Sequence, residues 1–273
     1  MAAAQRRIIG VDFSGARDAG RKVWLAIGTV TGARLHVERC LPASELPGGA
    51  VARDVAYAAL RQTLIDHAPC AAGLDFPVGL PEPLMEPVPW RRFLVDFPRR
   101  HPDERAFRAA CLAAAGGREL KRLTDRAART PFCPYNLRMF RQTYYGIRDV
   151  LRPLVLSGAA VGLPMQPARA DRPVWLLEAC PAALLKARGL YRPYKGRGPA
   201  LRAMRRRLVA HLTDAAGVVV TARGLARRLV EDHDGDALDA VLAAVAAWRA
   251  VSDGPLRPPD WRRCVREGYV YCG

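Results

Sequence analysis

With 273 residues the chain can bury an ample hydrophobic interior as one large domain, and its seven scattered cysteines, odd in number and without a CxxC pair, argue against a disulfide scaffold or a zinc knuckle. Forty-three basic against 26 acidic residues leave a formal charge of +17, which attracts phosphate backbones. No run of about eighteen apolar residues reads as a membrane span, and the opening MAAAQRRIIGVDF lacks the apolar stretch of a signal peptide, so a soluble cytoplasmic protein is expected.

The segment RIIGVDF (7–13) is a short apolar run that ends in an acid. Two further strand patterns follow, VWLAIGTV (23–30) and ARLHVERC (33–40), joined by a tight turn at Thr31 and Gly32, so three antiparallel strands open the chain. From 50 to 67 the apolar positions Val51, Val55, Ala58, Ala59, Leu60 and Leu64 recur at helical spacing, and Pro69 stops the helix. Residues 71–76 then read as a buried fourth strand, reached by a crossover and parallel to the first.

From Pro81 to about Ala170 the pattern turns to helical pieces broken by Pro and Gly, a largely helical insertion in a single α/β domain spanning 1–273. VWLLEAC (174–180) restores a buried strand, and Pro181 opens a helix. The basic loop RGLYRPYKGRGP (188–199) precedes helices over about 200–213 and 222–231. GDALDAVLAAVAAWRAV (235–251) is an amphipathic helix, and EGYVYCG at the tail reads as an edge strand.

In so basic a chain the acids that cluster stand out. Asp12 and Asp75 each end an apolar strand beside glycine or proline, where α/β folds present functional groups; singly, either also suits a turn or a cap. Asp236 and Asp239, spaced i, i+3, project from one face of a first helical turn and can chelate together. The competing reading is that Asp234 or Asp236 merely caps the helix. Small neighbours Ala237 and Ala240 let this helix approach the sheet. Glu178 interrupts an apolar strand and so demands a partner, either a metal or an arginine.

The stretches IIGVDFSGA, AGLDFPVGLP, KRLTDRAA (121–128), WLLEACPAALL and GDALDAVLAAVAAW together resemble the landmarks of the DUF429 family of predicted nucleases, over nearly the whole chain. The resemblance implies an α/β ribonuclease H-like fold, a mixed sheet flanked by helices, and metal-assisted phosphodiester hydrolysis of the kind performed by ribonuclease H and the RuvC resolvases. It matches Asp12 to a first-strand acid, Asp75 to a fourth-strand acid, Asp236 with Asp239 to the acids of the closing helix, and Glu178 to a fifth-strand acid. The catalytic set it implies is Asp12, Asp75, Asp236, Asp239 and Glu178, with Mg²⁺ or Mn²⁺ on Asp12, Asp75, Asp236 and Asp239, ions that prefer carboxylate and water ligands. His233 is a candidate for proton transfer and equally a solvated histidine at a helix start.

Nucleic acid is the expected partner. The stretch 130–148 interleaves aromatics with Arg138, Arg141 and Arg148, a composition that suits stacking on bases, although Met139, Tyr144 and Ile147 read better as core. The 188–199 loop and the arginines at 205–207 are the better candidates for backbone contact. Two other functions stand beside a nuclease: a nucleic-acid-binding or interaction module without turnover, and an actin-like phosphotransferase suggested by Ser14 and Gly15 after the first strand. The second is weakened by the absence of a GxxxxGK[ST] loop.

Overall fold

The computed structural model describes residues 6–169, 174–252, 258 and 260–272. The Ala-rich lead and the end of the expected insertion, residue 170, lie outside the described residues. Strand β1 (Arg7–Asp12) is buried from Ile8 onward. A single helical turn, α1 (Ala19–Lys22), leads into β2 (Trp24–Thr31) and β3 (Arg34–Pro42). Gly32 supplies the positive φ (60°) that the intervening hairpin turn needs. Helix α2 (Arg53–Asp66) crosses back to β4 (Cys70–Leu74), which pairs parallel to β1.

The inserted region contains α3 (Trp90–Arg100), α4 (Glu104–Ala114), α5 (Leu123–Ala127), α6 (Phe140–Tyr145), a π-helical stretch Gly146–Leu151, and α7 (Arg152–Leu156). It is helical as expected until its end, where β5 (Ala160–Leu163) joins the sheet as a parallel neighbour of β6 (Val174–Ala179). The expected insertion therefore runs too far. A four-residue strand carries too few residues for a period to show. After β6 come α8 (Pro181–Ala187), α9 (Pro199–Asp214), the unexpected three-residue β7 (Val218–Val220), α10 (Leu225–Glu231), α11 (Asp236–Ser252), α12 (Trp261–Glu267) and β8 (Val270–Tyr271).

The eight-stranded mixed sheet has the order β5-β6-β4-β1-β2-β3-β7. β8 continues the edge that β5 leaves, pairing with Glu178 and Ala179 at the end of β6. Helices cover both faces. Ile9, Val11, Leu25, Leu60, Phe97 and Tyr144 form the core on the side of α2 and the insertion. Ile8, Leu35, Leu184, Leu208, Leu229 and Leu238 form the other, around α11. That helix is buried nearly all round, which is why its sequence is alanine-rich on every side.

Candidate metal centre

Side chains alternate across a strand, so parity decides which acids share a face. In β1, Ile9 and Val11 join the core on the α2 side, while Ile8 faces α11; Gly10 and Asp12 therefore face α11 too. In β4 the same alternation puts Ala72 and Leu74 on the α2 side and Ala71 and Gly73 toward α11, and Asp75 just beyond the strand follows. The two glycines set the depth of the helix. A Cβ at Gly10 would lie 2.0 Å from the Ala240 carbonyl oxygen, and one at Gly73 2.3 Å from that of Ala243. Only bare backbone on the strands admits α11 this closely, and its first turn thereby delivers Asp236 and Asp239 to the ends of β1 and β4.

The capping reading of those acids does not hold, because another residue does that work. Asp232 accepts from the Ala237 amide (2.8 Å) and from that of Asp234 (3.2 Å), leaving the Asp236 and Asp239 carboxylates free to face the strands. Asp12, Asp75 and Asp236 line a cavity of about 470 Å³ with Lys22, Gln142 and Lys195 at its walls. Asp239 is buried (3 % exposed) and lines the neighbouring cavity.

Burial, then the charge of Asp239, push the Asp12 carboxyl well above its usual range; Lys195 opposes them, and Asp236 and Asp75 add to the rise. Asp75 is pushed up to about 8 by burial and Asp239, against Lys195 and a hydrogen bond shared with Asp12. Asp236 rises to about 6, chiefly by burial. Repulsion among the carboxylates and burial thus favour protons on Asp12, Asp75 and Asp236, with Lys195 the cation that opposes the rise at all three.

That ammonium was not anticipated. Lys195 Nζ lies 2.6 Å from Asp239 Oδ2 and 3.9 Å from Asp236 Oδ1, and the Tyr194 hydroxyl donates to Asp239 Oδ1. Burial would lower the Lys195 pKa, but Asp239 and Asp12 more than reverse that and hold it charged. Both residues belong to the 188–199 loop, which the sequence suggested for nucleic-acid backbone contact. Arg205, from the arginine run also suggested for that role, is buried instead: it donates to the carbonyls of Val230 (2.7 Å), Gly196 (3.0 Å) and Tyr194. The Gly196 amide donates to the His233 carbonyl (2.6 Å), so Arg205 and the His233 backbone together hold Lys195 in place. The signal for Lys195 was its rarity among arginines; nothing local marked its direction.

Glu178 is not brought into this cluster. In β6, Val174 and Leu176 face the α2 side, and Glu178 pairs in register with Leu74, so it projects to the opposite face from Asp75. There it meets Arg122, which is fully buried and also donates to Asp125 Oδ1 (2.8 Å) and Oδ2 (3.0 Å). Arg122 Nη1 donates to Glu178 Oε2 (2.7 Å), Nη2 donates to Oε1, and the Val78 amide adds a further bond (3.0 Å). Burial alone would lower the Arg122 pKa, but Asp125 and Glu178 more than reverse it and keep the guanidinium charged. Of the two partners the sequence allows for Glu178, the structure supplies the arginine, and KRLTDRAA carries it. Thr124 of the same segment accepts from the Val270 amide (2.8 Å), tying β8 to this cluster.

The remaining candidates divide. The His233 ring Nε2 lies 3.5 Å from Asp234 Oδ1, and Asp234 is bound by Lys22 (2.7 Å), so both stand at the cavity rim. Tyr144 and Ile147 are core, whereas Met139 is half-buried beside the site. Arg148 pairs with Asp149 (2.7 Å) and Arg141 approaches Glu104 (3.8 Å). The Ser14 carbonyl accepts from Tyr57 (2.7 Å) and that of Gly15 from Arg53 (3.1 Å), so this turn is bound to α2 rather than presented to a phosphate.

Among the described residues, no three His, Cys, Asp or Glu side chains are spaced for one ion to touch them all. The arrangement is that of carboxylates gathered around an ammonium. In chemistry the donor set nevertheless fits a hard divalent cation: oxygen donors only, from two strand ends and a helix start, with negative charge in excess. None of the helices among the described residues is long and apolar enough to cross a membrane. No curated protein and no solved structure matches the chain. The family model described as "Protein of unknown function (DUF429)" matches residues 10–262, and the chain belongs to that family.

Proposed function

We propose that this protein is a metal-dependent nuclease with a ribonuclease H-like core, hydrolysing phosphodiester bonds of DNA or RNA. The observation that carries this reading is the convergence of Asp12, Asp75 and Asp236 at one cavity, from the ends of β1 and β4 and the start of α11, with Asp239 near enough to raise the pKa of the first two. Three antiparallel strands followed by parallel β4 and β6, with acids at the ends of the first and fourth strands and on the closing helix, are also the layout that the family resemblance implies. A net positive chain would bring phosphate backbones to an acidic centre that cannot itself attract them.

Asp12, Asp75, Asp236 and Asp239 would hold Mg²⁺ or Mn²⁺, which supplies an activated water and stabilises the leaving oxygen. The chain's own residues prepare the site. Tyr194 fixes the Asp239 carboxylate through one oxygen, and a divalent ion held by these acids would compete with the protons that burial and mutual repulsion favour on Asp12 and Asp75. Lys195 lines the same cavity, where its ammonium would neutralise a phosphate oxygen.

The test combines calorimetric titration with Mn²⁺ and cleavage of labelled single-stranded, duplex and branched DNA and RNA. Divalent binding with proton release, and cleavage that EDTA and Asp12→Asn both abolish, are expected. A protein that binds no divalent ion at millimolar concentration overturns the reading. The Lys195–Asp239 contact favours one second reading, a nucleic-acid-binding module in which the lysine keeps the cation's place and turnover is lost. Salt-dependent oligonucleotide binding indifferent to EDTA, without cleavage, would select it.

A further inference from the structure

A second cavity, of about 430 Å³, adjoins the carboxylates and shares Asp75, Gln142 and Lys195 with theirs. It opens beyond the carboxyl ends of β4 and β6, between the segment that follows α5 and the loop that carries Lys195. Acids reach its floor, where Asp75, Asp239 and the Arg122-bound Asp125 and Glu178 lie, but Phe132, Met139, Pro181 and Tyr191 add flat or polarisable apolar surface, and Arg192 and Lys195 add cations. Arg138 lies over the ring of Phe132, 5.4 Å from its centroid, and Lys186 over that of Tyr191 at 4.9 Å. Tyr191 is 40 % exposed, so part of its ring is open to solvent.

We propose that this cavity receives one unpaired nucleobase of the substrate and so sets the adjacent phosphate against the carboxylates. The inference rests on the nuclease reading and narrows its substrate to strands that can offer an extruded or single-stranded nucleotide. Size excludes a base pair with its backbone and admits a single nucleoside, within the ~300–1,000 Å³ common for small-ligand sites. Aromatic and proline walls suit stacking with any base. The shared wall supplies continuity: a base held between Phe132 and Tyr191 has its sugar and phosphate directed to Lys195 and Asp75. Phe132 and Met139 of the aromatic 130–148 stretch and Tyr191 of the 188–199 loop, which the metal chemistry does not use, line this pocket.

The test uses the full chain in EDTA, so that no ion takes part, with adenosine, cytidine and orthophosphate as separate probes in calorimetry and ligand-observed NMR. Both nucleosides are expected to bind and orthophosphate not to. Phe132→Ala and Tyr191→Ala should each weaken nucleoside binding about tenfold, as loss of one stacking partner does, and Tyr191→Phe should restore it. Circular dichroism checks that these variants fold. Nucleosides that fail to bind at millimolar concentration, or bind with affinity unmoved by both alanine variants, overturn the proposal. So does preferential binding of an aliphatic alcohol that nucleosides do not displace, which would mark the cavity as a lipid or peptide site. Cleavage with Mn²⁺ by a protein that ignores nucleosides would sink the pocket and leave the nuclease reading standing. Nucleoside binding without divalent binding would do the reverse.

Discussion

Two groups of buried acids flank the same end of the sheet, and they are built on opposite principles. Around Arg122, the carboxylates of Asp125 and Glu178 are matched to the guanidinium bond for bond, on the insertion side of the sheet. Around Lys195, four aspartates share one half-exposed ammonium on the α11 side. The first cluster binds two carboxylates to one fully buried guanidinium through direct hydrogen bonds, which suits holding the insertion, β6 and β8 together. The second keeps an unmet negative charge beside a cavity, the condition that favours a cation. An acid in an apolar strand therefore says little by itself; the number and geometry of its partners separate structure from chemistry.

The comparison breaks most visibly at its two centres. Asp12→Asn should cut metal-dependent hydrolysis by about 10³-fold or more while leaving the melting temperature unchanged or higher, since it removes a destabilised buried carboxylate. Steady-state cleavage with Mn²⁺, alongside thermal unfolding, measures both. Arg122→Met should do the converse, costing about 3–5 kcal/mol because Asp125 and Glu178 are left buried without their cation. Urea unfolding checks this, and a combined Arg122→Met/Glu178→Leu variant should recover part of the loss.

A smaller effect is expected from Gly10→Ala. Its Cβ would fall 2.0 Å from Ala240 O and 2.2 Å from the Ala244 amide nitrogen, so α11 must shift, at a cost of about 1–3 kcal/mol. Because α11 carries Asp236 and Asp239, Mn²⁺ affinity should fall with it in calorimetry, which no shift confined to the Arg122 cluster would cause. Lys195→Ala should cost the fold about 1 kcal/mol or less, as for other half-exposed ion pairs, in contrast to Arg122→Met.

The pH dependence sharpens the same contrast. Asp75 near 8 and Asp236 near 6 lie above the ordinary carboxylate value, so between about pH 4 and 8 the folded metal-free protein binds more protons than the unfolded chain. Stability must therefore fall as pH rises through that window. Mn²⁺ should restore it at pH 8, and Asp75→Asn should flatten the slope; a metal-free melting temperature that rises from pH 5 to 8 would contradict the assignment.

Much of this was legible beforehand because it is local. Short apolar runs ending in Asp12 and Asp75 mark buried strands that deliver acids to one end, and the i, i+3 spacing of Asp236 and Asp239 marks a shared helix face. The place of Glu178 was also readable in principle: Val174 and Leu176 share its parity, and once β6 pairs with β4, Glu178 aligns with Leu74 and leaves the face of Asp75. That step needs the register between strands 100 residues apart, which no single segment contains. The short strands β5 and β7 were missed for a related reason, since three or four residues become a strand only when a neighbour offers its edge.

The sequence by itself determined the longer strands and helices, the candidate acids and the small residues Ala237 and Ala240 that let α11 approach the sheet, because each follows from local periodicity and side-chain size. Only the tertiary structure decided which charges meet. Lys195 and Arg122 lie in irregular or short segments whose direction is set by contacts far along the chain: Arg205 and the His233 backbone for one, Asp125 with Glu178 for the other. Electrostatic pairing depends on distance in space, which periodicity does not encode, and here it separates the acids bound by Arg122 from those gathered around Lys195.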